Sequence, residues 1–220
     1  MADSPDESNI SGMTEPKAME NGRARLRFGF DFSEAMSQLC ADIAERLDDF
    51  SHLRMNQVAV AFAQARRRVP HGLQAKLTPM RFEGGSLTTR RNGQTWTVQR
   101  LYHNNREMLY ILTFYLPRFQ NHSFREKMIT VFHELFHISP QFNGDIRRLD
   151  GHYHVHSHSQ KEYDRQMAGL ADKYLYRNPP PSLLAFLRSR FPALESRFGR
   201  VIGLQVPVPK LVPLSDQQSA

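Results

Sequence analysis

The chain has a single cysteine, Cys40, among its 220 residues. An intrachain disulfide is therefore excluded, as is any zinc cluster built on thiolates, so a metal in this protein must be held by histidine and carboxylate side chains. Cys40 itself falls in a helical pattern and reads as a small apolar core residue. Long hydrophobic runs are missing too. The uncharged stretch from Met108 to Leu116 is far shorter than the roughly 20 residues that span a bilayer. The acidic N-terminal segment lacks the basic-then-apolar order of a secretory signal, so a cytoplasmic protein without membrane contact is expected. The sequence also has no internal repeat, no glycine-rich phosphate loop and no nucleophilic Ser or Cys arrangement.

What is present suits one soluble domain with flexible ends, since hydrophobic residues make up 40% of the chain. Residues 1–22 are rich in Ser, Glu, Asp, Pro and Gly, and are expected to be disordered because they have too little apolar surface to offset the entropy of ordering. Residues 23–200 are read as the folded domain and 201–220 as a Pro-rich extended tail. The net charge of +7 is uneven, because the first 22 residues hold five acids and one lysine. The remainder is basic enough for weak association with nucleic acid, although a solvated basic surface is the simpler account of the dispersed Arg66-Arg67-Arg68, Arg90-Arg91 and Arg147-Arg148.

Periodicity predicts the elements in turn. Asp31 with Glu34 forms a capping pattern, and Phe32, Ala35, Leu39, Ile43, Leu47 and Phe50 recur at helical spacing through Phe50. The alternating Val58, Val60 and Phe62 favour a strand. Leu77–Phe82 reads as a short edge strand because of Pro79. Asn92-Gly93 between two alternating runs is a hairpin signal, and Trp96 and Val98 on one face of that hairpin read as packing residues. His103–Arg106 is a polar turn, and Met108–Leu116 is a further strand whose place, at the sheet edge or centre, the sequence leaves open. An edge position there would let it pair with an extended peptide.

Ser123 and Glu126 form another capping box, and Pro140 disfavours helix at Ser139, so a helix is expected from Ser123 to Ile138. Phe124, Met128, Val131, Leu135 and Ile138 make its apolar stripe. On the other side stand His133-Glu134-Leu135-Phe136-His137, an H-E-x-x-H sequence. The i, i+4 spacing stacks two imidazoles one turn apart, close enough to share an ion, with Glu134 roughly 100° away and able to reach a water beside it. Zinc hydrolysis needs this arrangement: two neutral imidazoles, a third protein ligand and a carboxylate base. The bland alternative is a helix whose polar face happens to carry two histidines.

Downstream, His152, His154, His156 and His158 alternate, followed by Ser159 and Glu162 as the cap of a helix bearing Tyr163, Met167, Leu170 and Tyr174. His158 ranks first as third ligand because it precedes an N-cap at a fixed corner. His156, His154 and His152 follow in that order, and Glu162 or Asp164 are carboxylate alternatives. A last short helix is expected from Pro181 to Phe191, closed by Pro192.

The run His133–Pro140, then Phe142-Asn143-Gly144-Asp145-Ile146-Arg147, then His156-Ser157-His158-Ser159 and Tyr163-Asp164, resembles the bacterial and phage metallopeptidase domains of the zincin class, over Ile129 to Asp164. That resemblance implies a small α+β fold with a mostly antiparallel sheet, an active-site helix and additional packing helices. It makes His133 and His137 zinc ligands and Glu134 the catalytic base, with a third ligand from a later segment. The Asn143–Arg148 segment admits two readings. In one, Asp145 orients a ligand imidazole and an arginine binds a substrate carboxylate. In the other, an Asp145–Arg pair simply holds a turn. The expected activity is zinc-dependent hydrolysis of peptide bonds in a peptide or protein substrate. The alternatives are a zinc-stabilised nucleic-acid-binding or interaction module, and a zinc amidase acting on a small substrate.

Overall fold

The structure is a computed structural model that describes residues 29–65, 72–148 and 160–215. The segment 1–22 and the four alternating histidines lie outside these described residues.

The first pairing is β1 (Phe30–Asp31), which leads into α1 (Phe32–Arg46). The Asp31 carboxylate accepts the Glu34 N–H at 3.0 Å, and Phe32, Met36, Leu39, Cys40 and Ile43 are wholly buried. Burial pushes the Cys40 thiol up to about 12, so it packs as an apolar side chain. The helix stops at Arg46 rather than running to Phe50. Asp48 and Asp49 would oppose the negative end of the helix, and a 3-10 turn over Asp48–Phe50 still returns Phe50 to the core.

The central sheet places β8 (Tyr110–Leu116) between β2 (Val58–Gln64), which runs parallel to it, and β3 (Ala75–Pro79), which runs antiparallel. Strand β8 is thus central, not an edge for peptide pairing. Both its faces explain this: Tyr110, Leu112, Phe114 and Leu116 join the main core, while Ile111 packs on the other side with Ala59, Ala61, Met80 and Met108. The edges are β2 and β3, and in β3 Pro79 needs no ladder hydrogen bond. A mostly antiparallel sheet was expected, but the central sheet is mixed; the long excursion between Gln64 and Tyr110 lets β8 return parallel to β2.

Two hairpins fill that excursion. β4 (Thr88–Arg91) and β5 (Gln94–Val98) turn at Asn92 (φ 50°) and Gly93 (φ 77°), the positive pair that the Asn-Gly signal anticipates. The polar turn is a second hairpin, β6 (Tyr102–His103) and β7 (Arg106–Glu107), closed by Asn104 and Asn105 at positive φ.

Four helices follow: α2 (Phe124–Phe136), α3 (Gln160–Tyr176), α4 (Pro181–Arg188) and α5 (Phe191–Phe198). Pro192 does not close a helix; it sits in the first turn of α5, where its missing N–H has no helical partner to lose. Met167, Ala171 and Tyr174 of α3 are buried, and the Tyr174 hydroxyl donates to Asp42 of α1 at 2.6 Å. The chain then crosses back. β9 (Val201–Ile202) pairs with β1, Leu204 and Val206 cover the second sheet face, and β10 (Leu211–Leu214) pairs antiparallel with β5. Among the described residues, no helix is long and apolar enough to cross a membrane.

Candidate metal centre

Helix α2 carries the site, and its start is fixed locally. The Ser123 hydroxyl accepts the Glu126 N–H, and the Glu126 carboxylate accepts the Ser123 N–H at 2.9 Å, completing the capping box. Met128, Val131, Phe132, Leu135 and Ile138 are at most 1% exposed. Each buried side chain of this size contributes about 1.5–3 kcal/mol, so the apolar stripe sets the rotation of the helix and leaves His133 and His137 half-buried on its other side.

The helical run ends at Phe136, with His137 as its C-cap, slightly earlier than the spacing suggests. The segment 143–148 folds back and takes the freed carbonyls. The Arg147 N–H donates to the His137 carbonyl and its Nε to the Phe136 carbonyl, both at 2.7 Å, while Ile138 bridges Ile146. Gly144 permits this return. Its φ is +87°, and a Cβ there would come within 2.4 Å of Arg81 Cγ. The Tyr110 hydroxyl pins the turn to β8 by accepting the Gly144 N–H at 3.0 Å and donating to the Asp145 carbonyl at 2.9 Å. The Asp145 carboxylate accepts from the Gly84 and Ile146 N–H groups and from the Arg148 fork. It therefore holds the turn, the simpler of the two readings.

The two imidazoles lie side by side, with ring centroids 4.6 Å apart and planes at 74°. Tyr163 of α3 closes over both: its ring lies 4.8 Å from His133, edge-on, and 6.1 Å from His137, nearly stacked. Sequence periodicity marks Tyr163 only as a core residue. Its contact with both histidines comes from the packing of α3 on α2, which no local pattern encodes. Burial drives its phenol well above the ordinary range, and the nearby Glu134 adds to the shift.

Glu134 is 8% exposed and accepts one hydrogen bond, from the Leu77 N–H of β3 at 2.7 Å. Burial raises its carboxyl to about 7, against the pull of that N–H and of Lys76. A carboxyl group in this range can both take and return a proton near neutrality. Leu77 pairs with Leu112, but its N–H points away from β8, so α2 docks its carboxylate against the outer side of the edge strand.

Among the described residues, no group of three or more His, Cys, Asp or Glu side chains gathers at one point. His158, His156, His154 and His152 lie outside those residues, and Glu162 pairs with Arg165 on its own helix. Clefts of about 560 and 890 Å³ open on the second sheet face and beside the start of α2, away from the imidazole pair. The chemistry of the donors marks this centre.

A family model matches residues 31–168, more than half of the chain. The chain belongs to the family described as "Putative phage metallopeptidase". The matched span starts at the N-cap of α1 and ends within α3, so it contains α2, the return turn and Tyr163, while α4, α5 and the crossing tail lie beyond it. No curated protein and no solved structure matches the chain. As a metallopeptidase by family, the protein is expected to use a divalent metal, and two imidazoles one turn apart with centroids 4.6 Å apart fit such an ion.

Proposed function

We propose that this member of the phage metallopeptidase family is a zinc-dependent peptidase. His133 and His137 would hold the ion, with the third ligand from His158 or, failing it, His156, His154, His152, Glu162 or Asp164. Zinc so held supplies a Lewis acid that polarises a carbonyl and brings the pKa of water to about 7. Glu134 takes a proton from the attacking water as its oxygen bonds to the peptide carbonyl carbon. It then delivers that proton to the departing amine nitrogen as the C–N bond breaks. A positive charge beside Glu134 favours its ionised form, opposing the burial that raises its pKa.

The edge strand β3 suits an extended substrate. Its inner side is paired with β8, while its outer side faces the carboxylate that would act on the scissile bond. The observation that carries this reading is the buried Glu134, tied to an edge-strand N–H and adjacent in sequence to one of two closely placed imidazoles.

The test measures zinc per chain and cleavage of an unstructured protein. Glu134→Gln is expected to keep zinc and lose cleavage, and His158→Ala to lose zinc affinity. Normal cleavage by Glu134→Gln would remove this mechanism. Unchanged zinc binding by His158→Ala would move the third-ligand assignment to His156 and the others in order.

A further inference from the structure

Arg147 is held more firmly than a solvated arginine. Its N–H and Nε are both tied to the end of α2, and its guanidinium carbon lies 4.1 Å over the Phe136 ring. Phe136 in turn lies 5.9 Å from the Tyr163 ring, and Tyr163 touches both imidazoles, so the guanidinium is joined to the centre through these two rings. No carboxylate pairs with it among the described residues, in contrast to the neighbouring Arg148, which forks onto Asp145. The Arg147 side chain is half-buried against these groups. His52 lies close enough to feel that charge, and its Nε2 is buried without a hydrogen-bond partner among the described residues. A half-buried cation, fixed in orientation and without a counter-ion among the described residues, is an incomplete ion pair there.

We propose that Arg147 is the anchor for a carboxylate of the substrate, its terminal guanidinium nitrogens forming the fork. This rests on the peptidase reading for the nature of the substrate. The carboxylate can be an acidic side chain or the free C-terminus of a peptide, because both present the same planar pair of oxygens. Arg147 is thus a specificity-determining residue, distinct from Glu134 in role.

Binding is measured to zinc-saturated Glu134→Gln protein, which leaves peptides uncut. The probes are acetylated peptides of one sequence, with Glu or Gln at each position in turn and with a free or amidated C-terminus. The carboxylate-bearing member of at least one pair is expected to bind about ten- to a hundredfold tighter. Adding Arg147→Gln should erase that gap, and Arg147→Lys should keep only part of it. A gap confined to the free C-terminus assigns a chain-end anchor, and one that follows an internal Glu assigns a side-chain anchor. No gap in the parent, or a gap that survives Arg147→Gln, overturns the proposal. Should Arg147→Gln not fold, Arg147→Lys decides: a narrowed gap supports the anchor and an unchanged gap overturns it. Wild-type protein that cleaves none of the peptides while the gap persists would remove the peptidase reading and leave the anchor standing. Cleavage without a gap would do the reverse.

Discussion

Helix α2 buries two charged side chains about two turns apart, and they differ in how completely they are bonded. Lys127 donates to the carbonyls of Leu187 and Ser189, both at 2.8 Å, and so closes the C-terminal end of α4. Gln120 adds bonds to Phe186 and Ser189 at the same end. Glu134 accepts one hydrogen bond among the described residues, from an edge-strand N–H, and follows in sequence one of the two neighbouring imidazoles. Burial penalises both charges, lowering Lys127 to about 8 and raising Glu134 to about 7. The difference lies in what remains available. The lysine is committed to the fold, whereas the carboxylate retains capacity for a proton and a substrate.

The most severe way to break this comparison is to neutralise each group. Glu134→Gln should lower the cleavage rate by about 10²–10⁴-fold, with little change in melting temperature, because the amide oxygen can still accept from Leu77. Lys127→Met should do the opposite. It leaves the α4 carbonyls short of a donor, a loss of about 1–3 kcal/mol, with the cleavage rate per folded molecule unchanged. Rates and thermal melts of the two variants, measured side by side, check both halves; a Lys127→Met protein that is stable but inactive would erase the distinction.

A pH series sharpens the lysine half. Because the folded-state pKa of Lys127 lies below its unfolded value, the unfolded chain binds more protons between about pH 8 and 10.5. The lysine therefore disfavours folding most below pH 8, and wild type should gain stability relative to Lys127→Met as pH rises through that window, by up to about 3 kcal/mol. Denaturant unfolding of both proteins at pH 7.5 and 10 gives the difference, and a gap that does not move would mean that Lys127 is charged at no cost in the fold.

The two ends of this helix also differ in how legible they are. Its start can be read from two residues, Ser123 and Glu126, because a capping box is local chemistry; the Asn92-Gly93 hairpin is legible for the same reason. The i, i+4 histidines likewise predict their own proximity. What surrounds them does not follow from local spacing. The Leu77 N–H that meets Glu134 is 57 residues away, and Tyr163 reaches the histidines only through the packing of α3 on α2. Pro192 was ambiguous in a different way, since proline both stops helices and begins them, and only the packing of Leu194 selects the second outcome. The open question of the strand at 108–116 was decided by burial on both faces, which a short apolar run cannot distinguish from a one-sided strand.

The smallest effect tests whether the start of α2 is separable from its chemistry. Ser123→Ala removes the hydroxyl that accepts the Glu126 N–H and should cost about 1 kcal/mol, lowering the melting temperature by roughly 2–4 °C for a chain of this size. The imidazoles lie more than two turns further along, on a helix whose rotation is set by Val131, Leu135 and Ile138, so zinc stoichiometry and cleavage by the folded fraction should be unchanged. If the small loss of stability came with a large loss of zinc affinity, the apolar stripe would not be what holds the metal-facing side in place. The cap and the centre would then form one cooperative unit.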